Sequence, residues 1–265
     1  MRLVRRILTT VVVTCAVIFI AVEWIAPVAL SFYEAKKVPP VARVVPTDLK
    51  DASVSQAPGM KLSYLGYEFE VPWTDLDESK TKLYPKDNPD KKMAFLFFRS
   101  GLRLVVKAVP PREWARFFAT DWKLSPQQVE AFMGHEAAIS DYVFLKNIYA
   151  FTPNSMHYWA LSSRLHAREQ MLLMIKSIVP SKPAETGIFN LRNPSFRGFQ
   201  QGDPQIRQDT LLLNLYSAND SFEIAFLQKD YRSPSGVTQP EINRIVQSLH
   251  KAVPSEVAAS AHSAH

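Results

Sequence analysis

The chain has 265 residues, of which 47% are hydrophobic, enough for one or two domains with a substantial core. Its formal charge is +6, but residues 1–37 hold five basic and two acidic residues, which leaves 26 basic against 23 acidic elsewhere. That balance, without any run of five or six basic residues, argues against a nucleic-acid-binding protein. The single cysteine, Cys15, excludes an intramolecular disulfide and a thiolate metal cage.

The first predicted element is an apolar helix at the N-terminus. Residues 7–26 carry one charge, Glu23, and twenty helical residues rise about 30 Å, the thickness of the hydrocarbon core of a bilayer. Glu23 lies in the last turn beside Trp24, where a carboxylate reaches the headgroups and an aromatic ring fits the interface. We predict that residues 1–30 form a basic head and a transmembrane anchor, which contacts lipid through residues 7–26.

Two other interpretations of this segment stay open, a cleaved signal peptide and a buried helix of a soluble fold. Cleavage after Ala21, Ala26 or Ala29 would leave a large residue or a proline three positions before the cut, where signal peptides have small residues. Three arginines within the first six residues favour a cytoplasmic N-terminus. The sequence therefore predicts a single-pass protein of the inner (cytoplasmic) membrane, with its C-terminal part extracytoplasmic.

The composition changes after the apolar helix. Residues 31–59 contain four prolines and no sustained periodicity, so we expect a Pro-rich, partly extended linker that lifts the following domain off the membrane. Residues 60–252 are expected to form one globular domain. Residues 253–265 are rich in alanine and serine and are expected to be a disordered tail.

Strand patterns lie at both ends of the expected domain. Residues 61–73 alternate Tyr67, Phe69 and Val71 with glutamates and stop at Pro72. Two hairpins are predicted, one from residues 92–98 and 102–109 and one from residues 210–218 and 221–228. Weaker strand patterns precede the second hairpin at residues 187–192 and 197–202.

Helices are predicted between and after these strands. Pro111 and Pro126 favour first helical turns, residues 139–151 are apolar, and Ser162 or Ser163 can cap the next helix. The last helix has a capping box, Thr238 to Glu241, followed by an apolar stripe of Ile242, Ile245, Val246 and Leu249. The order predicts an α+β fold, with one transmembrane helix followed by an antiparallel sheet packed with helices in an α/β/α sandwich-like arrangement.

The order of these elements resembles a known superfamily. An early "GYEFEVPW" strand, a helical middle, antiparallel strands and a closing "INRIVQSL" helix are similar to the PsbP-like superfamily of extrinsic photosystem proteins and their non-photosynthetic relatives. The resemblance covers about residues 60–252 and implies an α/β/α sandwich that acts as a binding or assembly module. The helical stretch at 111–180 is longer than that plan requires, and no functional residue of the superfamily is carried over.

The sequence has no recognisable catalytic signature. It lacks G-x-S-x-G, G-x-G-x-x-G and a phosphate-binding loop, and the histidines do not have the spacing of a zinc site. We therefore expect no enzyme activity, no cofactor and no metal. The alternative is a membrane-tethered hydrolase whose site is assembled from distant residues such as His135, Glu136, His166 and Asp203.

The strongest candidate for a binding site is the stretch RGFQQGDPQ. Its two glycines and its Asp-Pro dipeptide favour a tight turn, and the turn can gather Arg197, Gln200, Gln201 and Asp203 around a polar pocket. The other interpretation is a connection between strands whose turn chemistry alone requires these residues.

Aromatic residues are frequent, including Trp73, Trp114, Trp122 and Trp159, and core packing explains most of them. An exposed subset would indicate a surface for a partner. Taken together, the sequence predicts a membrane-anchored extracytoplasmic binding or assembly module with an unknown protein partner.

Overall fold

The computed structural model describes residues 2–84, 92–160, 162–206, 210–218, 220–227 and 236–252. The predicted tail at 253–265 lies outside these residues. The chain divides into two compact units. Unit 1 joins the residues up to Pro46 with Trp114–Glu185, and unit 2 joins Thr47–Glu113 with the residues from Thr186 onward. The fold is α+β, as predicted, and it includes one apolar N-terminal helix.

Unit 1 is helical, and its N-terminal helix is longer than the sequence suggested. Its helices are α1 (Arg2–Ile20), α2 (Ala26–Lys37), α3 (Glu113–Thr120), α4 (Pro126–Met133), α5 (His135–Ile139), α6 (Asp141–Ala150) and α7 (Ser163–Ile178). A π-helical turn, Ala21–Ile25, joins α1 to α2 without a break. The first part of the expected linker, from residue 31 to Lys37, is therefore helical. Its buried small side chains, Ser31 and Ala35, pack this part against α7.

Local signals define the boundaries of the other helices in unit 1. Ser125 forms the reciprocal capping box that opens α4, and Ser140 and Ser162 cap α6 and α7. Gly134, with φ of 90°, separates α4 from α5. Residues 139–151 were expected to form one helix, and the extended Ser140 instead ends α5 before α6 begins.

The described residues of unit 2 form a sheet of eight strands, a second sheet of three, and one α-helix, α8 (Gln239–Ser248). The strands are β1 (Pro46–Asp48), β2 (Met60–Tyr64), β3 (Tyr67–Val71), β4 (Lys82–Tyr84), β5 (Lys92–Phe97), β6 (Arg103–Val109), β7 (Ile188–Arg192), β8 (Arg197–Gln201), β9 (Thr210–Tyr216), β10 (Ser221–Leu227) and β11 (His250–Lys251). The larger sheet has the order β1-β7-β8-β9-β10-β6-β5-β4, antiparallel from β7 to β4. The smaller has the order β11-β3-β2.

The two predicted hairpins are confirmed as β5–β6 and β9–β10. The predicted strand over 61–73 is instead a third hairpin, because Leu65 and Gly66 adopt φ of 59° and 83° and turn the chain between β2 and β3. The predicted stripe of α8 is buried, and it joins inward-facing side chains of β3, β5, β6, β9 and β10 in one hydrophobic core. Alternation along the strands therefore builds this core.

The N-terminal helix is the one candidate membrane span among the described residues. It covers Thr10–Lys37, with a mean hydropathy of 2.4 in its apolar window and none of that window buried. Its length and composition fit a membrane span and a signal sequence equally.

Candidate functional site

A narrow stripe of side chains attaches the N-terminal helix to the rest of unit 1. Within α2, Val28, Ser31 and Ala35 are buried, at spacings of three and four residues that share one helix face. The face packs against α7. Small residues such as Ser31 and Ala35 allow two helix backbones to approach closely.

Ser31, His166 and Gln170 form a polar cluster within this contact. Ser31 Oγ lies 3.1 Å from His166 Nδ1 and 3.0 Å from Gln170 Nε2. His166 Nε2 lies 2.9 Å from the carbonyl oxygen of Ala160, which only accepts, so we assign the imidazole proton to Nε2. Nδ1 then accepts from the Ser31 hydroxyl, and that hydroxyl oxygen accepts from the Gln170 amide. One consistent set of hydrogen bonds thus satisfies all three side chains.

The Ser31–His166 pair has the residue types of a catalytic pair, but it lacks access to solvent. Ser31 is 0% exposed and His166 is 1% exposed. A serine nucleophile needs a free line of approach to the substrate, and here both sides of the hydroxyl are already bonded. The geometry therefore supports a role in positioning the N-terminal helix.

Lys176 makes a second buried connection within unit 1. Its side chain is fully buried, and Nζ donates to the carbonyl oxygens of Val44, at 2.7 Å, and Tyr149. Burial lowers the pKa of Lys176 to about 8. Nζ also lies 5.6 Å from the centroid of the Tyr149 ring, within the range of a cation–π contact. One ammonium group thus connects α7 to α6 and to the chain that follows α2.

A short loop before α7 presents aromatic rings to the N-terminal helix. Phe32 stacks on Tyr158, with ring centroids 4.3 Å apart and planes inclined by 13°. Trp159 meets the edge of Phe32 at 5.6 Å. Trp159 itself is 73% exposed. Trp159 therefore belongs to the exposed subset of aromatic residues, not to the majority explained by core packing.

The glutamines of the predicted RGFQQGDPQ site are buried in unit 2 and bonded within it. Gln200 is 0% exposed, and its amide exchanges hydrogen bonds of 2.8 and 3.0 Å with Gln239 of α8. Gln201 is 2% exposed and donates to Asn214 Oδ1 at 2.8 Å. Asn214 donates onward to Glu223, whose carboxyl pKa is raised by burial. The two glutamines join neighbouring elements of unit 2.

The other two residues of that stretch lie at the ends of β8. Arg197 is exposed at its start, opposite Arg192 and Tyr216. Asp203 follows Gly202, whose φ is 108°, and accepts from the backbone N–H of Gln205 at 2.9 Å, which forms the predicted turn. The four residues of the predicted site are close in sequence: Arg197, Gln200, Gln201 and Asp203. The side-chain amides of Gln200 and Gln201, however, form their hydrogen bonds with other residues inside unit 2. Ligand binding by these four residues stays a prediction.

The residues considered for a hydrolase have separate surroundings. His135 is exposed, and its Nδ1 lies 2.8 Å from Glu130 Oε1. His166 is buried against Ser31, and Glu136 lies in the first turn of α5. Asp203 belongs to unit 2. Within the described part of the chain, no group of three or more histidine, cysteine, aspartate or glutamate residues is arranged to hold a metal ion.

An apolar pocket lies at the β4 edge of the larger sheet. Its volume is about 450 Å³, within the range of ligand sites, and it is lined by Lys82, Tyr84, Met93, Phe95 and Phe97. The rings of Tyr84 and Phe95 meet edge to face at 5.5 Å, and the guanidinium of Arg103 lies 5.5 Å from the centroid of Phe97. The lining of the pocket is thus mainly aromatic, with one cationic side chain, Lys82.

Comparisons with known proteins give no relative: no family model, no curated protein and no solved structure matches this chain. The resemblance to the PsbP-like superfamily therefore stays a prediction.

Sequence reasoning missed the Ser31 cluster and Lys176. The available signal is the spacing of Val28, Ser31 and Ala35, which crosses the predicted boundary between the anchor and the linker at residue 30. The partners could not be found, because Ser31 and His166 are separated by 135 positions along the chain.

Proposed function

We propose that this chain is a single-pass membrane protein whose N-terminal helix anchors a non-enzymatic binding or assembly module outside the cytoplasm. The exposed apolar surface of the helix carries this proposal. Large apolar side chains from Val11 to Ile25 are exposed, and burial begins only at Val28. A core helix of a soluble fold would have that surface covered. Continuity from α1 through α2 supports an anchor that is retained in the mature protein.

Extraction of membranes at alkaline pH tests the anchor. We expect the full-length protein to stay in the membrane pellet. The double variant Val13→Lys and Ile18→Lys should instead appear in the soluble fraction, because each charge near the bilayer centre costs about 2.5–3.5 kcal/mol. The matched control is Val45→Lys, which places the same charge on an exposed residue outside the span. A soluble mature protein whose N-terminus lies after residue 20 would overturn the anchor in favour of a cleaved signal.

Orientation is proposed from the arginines at positions 2, 5 and 6. A C-terminal fusion to a reporter that is active only outside the cytoplasm should be active. A fusion at the same position to a reporter that is active only in the cytoplasm should be silent. The opposite pair of results would reverse the orientation and would leave the anchor intact.

The binding half of the proposal is supported by the β4 edge. β4 is the last strand of the described larger sheet, and both Leu83 and Tyr84 on it are exposed. An exposed edge strand beside an apolar pocket suits a protein partner, since a partner strand can pair with the edge while its side chains enter the pocket. We propose that the partner of this module is a protein bound at β4.

Site-specific photocrosslinking tests the partner surface. A photoreactive phenylalanine analogue in place of Tyr84 should give a discrete protein adduct in intact cells. The same analogue in place of Lys61, whose side chain is 86% exposed on β2, is the matched control and should give none. Leu83→Lys should abolish the Tyr84 adduct by adding charge to the edge. Equal adducts at both positions, or none at either, would contradict the proposal.

A further inference from the structure

We infer that the loop carrying Trp159 is a second membrane contact, which lies in the headgroup layer of the same bilayer that holds the N-terminal helix. The inference rests on the proposed function, because it requires α1 to span that bilayer. The partner it names is the lipid surface itself. The aromatic group of Phe32, Tyr158 and Trp159 supplies the contact.

Exposure separates this group from an ordinary buried aromatic cluster. Trp159 is 73% exposed, the highest value among the exposed large apolar side chains of the described residues. Phe32, which packs against it, is 37% exposed, and the next residue on α2, Tyr33, is 52% exposed. An exposed cluster of large aromatic side chains is costly in water. Tryptophan and tyrosine are enriched where a membrane meets water, because their rings are apolar and their edges are polar.

The continuous helix sets the height of the group above the hydrocarbon core. Phe32 follows Ala26, the last residue of the predicted span, by six positions. Six residues rise about 9 Å along an upright helix and about 7 Å along one tilted by 40°. The headgroup layer on each side of a bilayer is about 5–8 Å deep. A helix tilted by 40° therefore places Phe32 within the headgroup layer, and an upright helix places it about 1 Å beyond that layer. Trp159 packs directly on Phe32.

The loop is held in place by hydrogen bonds on both sides of Trp159. The Tyr158 hydroxyl donates to the carbonyl oxygen of Pro153 at 2.7 Å. Glu169, which is 4% exposed, accepts from the backbone N–H of His157 at 3.0 Å and bonds His157 Nδ1 at 2.6 Å. The carbonyl oxygen after Trp159, that of Ala160, bonds His166. Trp159 is thus exposed on a fixed support, as a preorganised contact requires.

The two helices that contact this loop, α2 and α7, carry more exposed positive than negative charge. Lys36, Lys37, Arg164 and Arg168 are exposed, against one exposed carboxylate on α2, Glu34. Lys37 lies over the Tyr33 ring, 3.9 Å from its centroid. Basic side chains beside an interfacial aromatic group fit lipid phosphates. The charge pattern favours a lipid surface over an apolar protein surface as the occupant.

Quenching by brominated lipids tests this contact. The full-length protein is reconstituted in phosphatidylcholine vesicles whose acyl chains carry bromine either near the headgroups or near the chain ends. The emission of Trp159 is obtained by subtracting the spectrum of Trp159→Phe, and that of Trp24 by subtracting the spectrum of Trp24→Phe. Shallow bromines should quench the Trp159 emission, but less than that of Trp24, and deep bromines should leave it unchanged, because the ring lies outside the hydrocarbon core at the headgroup level.

Trp122 is the matched control, since it also belongs to unit 1 and is partly exposed at 37%, but it packs among Phe117, Phe118 and Phe132. Its emission, obtained from Trp122→Phe, should be unaffected. Quenching of Trp24 without quenching of Trp159 would overturn the second contact and leave the anchor standing, with Trp159 facing water or another protein. Quenching of neither would overturn the anchor as well. Equal quenching of Trp122 and Trp159 would indicate general adsorption and would also overturn the inference.

Discussion

The interiors of the two units are built by different interactions. Unit 2 has a continuous hydrophobic core made by alternate residues of its strands and by one face of α8. Among the described residues, unit 1 buries four ionisable side chains, Asp141, His166, Glu169 and Lys176, whereas the buried polar side chains of unit 2 are all neutral: Gln200, Gln201, Asn214, Ser221 and Asn243. A hydrophobic core needs only the correct pattern and volume, whereas a buried polar group needs a specific partner at hydrogen-bond distance. The units should therefore respond differently to the same kind of substitution.

Removal of a large side chain from the core of unit 2 should have the largest effect. Phe69 is 1% exposed and packs edge to face with Phe222 at 6.1 Å. Phe69→Ala should lower the free energy of unfolding by about 4 kcal/mol, because it removes buried area and leaves a cavity. Hydrogen exchange of the full-length protein in detergent micelles, followed by mass spectrometry, should show lost protection in peptides from β2, β3 and α8. Leu83→Ala, at an exposed position, should change little.

Lys176 should make the stability of unit 1 depend on pH. Since burial lowers the pKa of its ammonium from 10.5 to about 8, the unfolded chain binds a proton that the folded chain does not between these values. Stability should be flat below pH 8 and should rise by about 3 kcal/mol as the pH increases from 8 to 10.5. Lys176→Met should remove this rise.

Denaturant unfolding of both proteins across that pH range measures the effect as a difference. The subtraction cancels other groups, such as Tyr67, whose pKa is raised by burial. A difference that stays constant from pH 8 to 10.5 would show that Lys176 is accessible to water.

Loss of one hydroxyl should affect unit 1 to a smaller extent. Ser31→Ala removes the donor to His166 and the acceptor of Gln170, and unsatisfied buried polar groups cost about 2 kcal/mol. Hydrogen exchange should show the loss in α2 and α7. Ser79→Ala is the control, since Ser79 is exposed in unit 2 and should give a change below about 0.5 kcal/mol. Equal protection in wild type and Ser31→Ala would mean that the cluster does not hold the helix.

The sequence predicted unit 2 better than unit 1 for a physical reason. The hairpins follow from alternation of apolar and polar residues, and the start of α8 follows from a cap only a few residues long. The core positions of Phe69 and Ile242 and the capping role of Thr238 could therefore be predicted from neighbouring residues alone. The contacts of Ser31, Lys176 and Trp159 join positions more than 100 residues apart. The strand at Gln200 and Gln201 was predicted weakly, but their hydrogen-bond partners were not, because Gln239 and Asn214 lie on other elements of unit 2.

The helix is unbroken from Arg2 to Lys37, so the direction in which its buried stripe faces depends on the number of residues before that stripe. Each added residue rotates everything beyond it by about 100°, so a single insertion before Val28 would turn the stripe that meets α7 away from its partner. A flexible tether would absorb such an insertion without consequence. The π-helical turn at Ala21–Ile25 is where the winding already departs from the α-helical value. It fixes the rotational setting between the exposed apolar side of the helix and the side that faces α7.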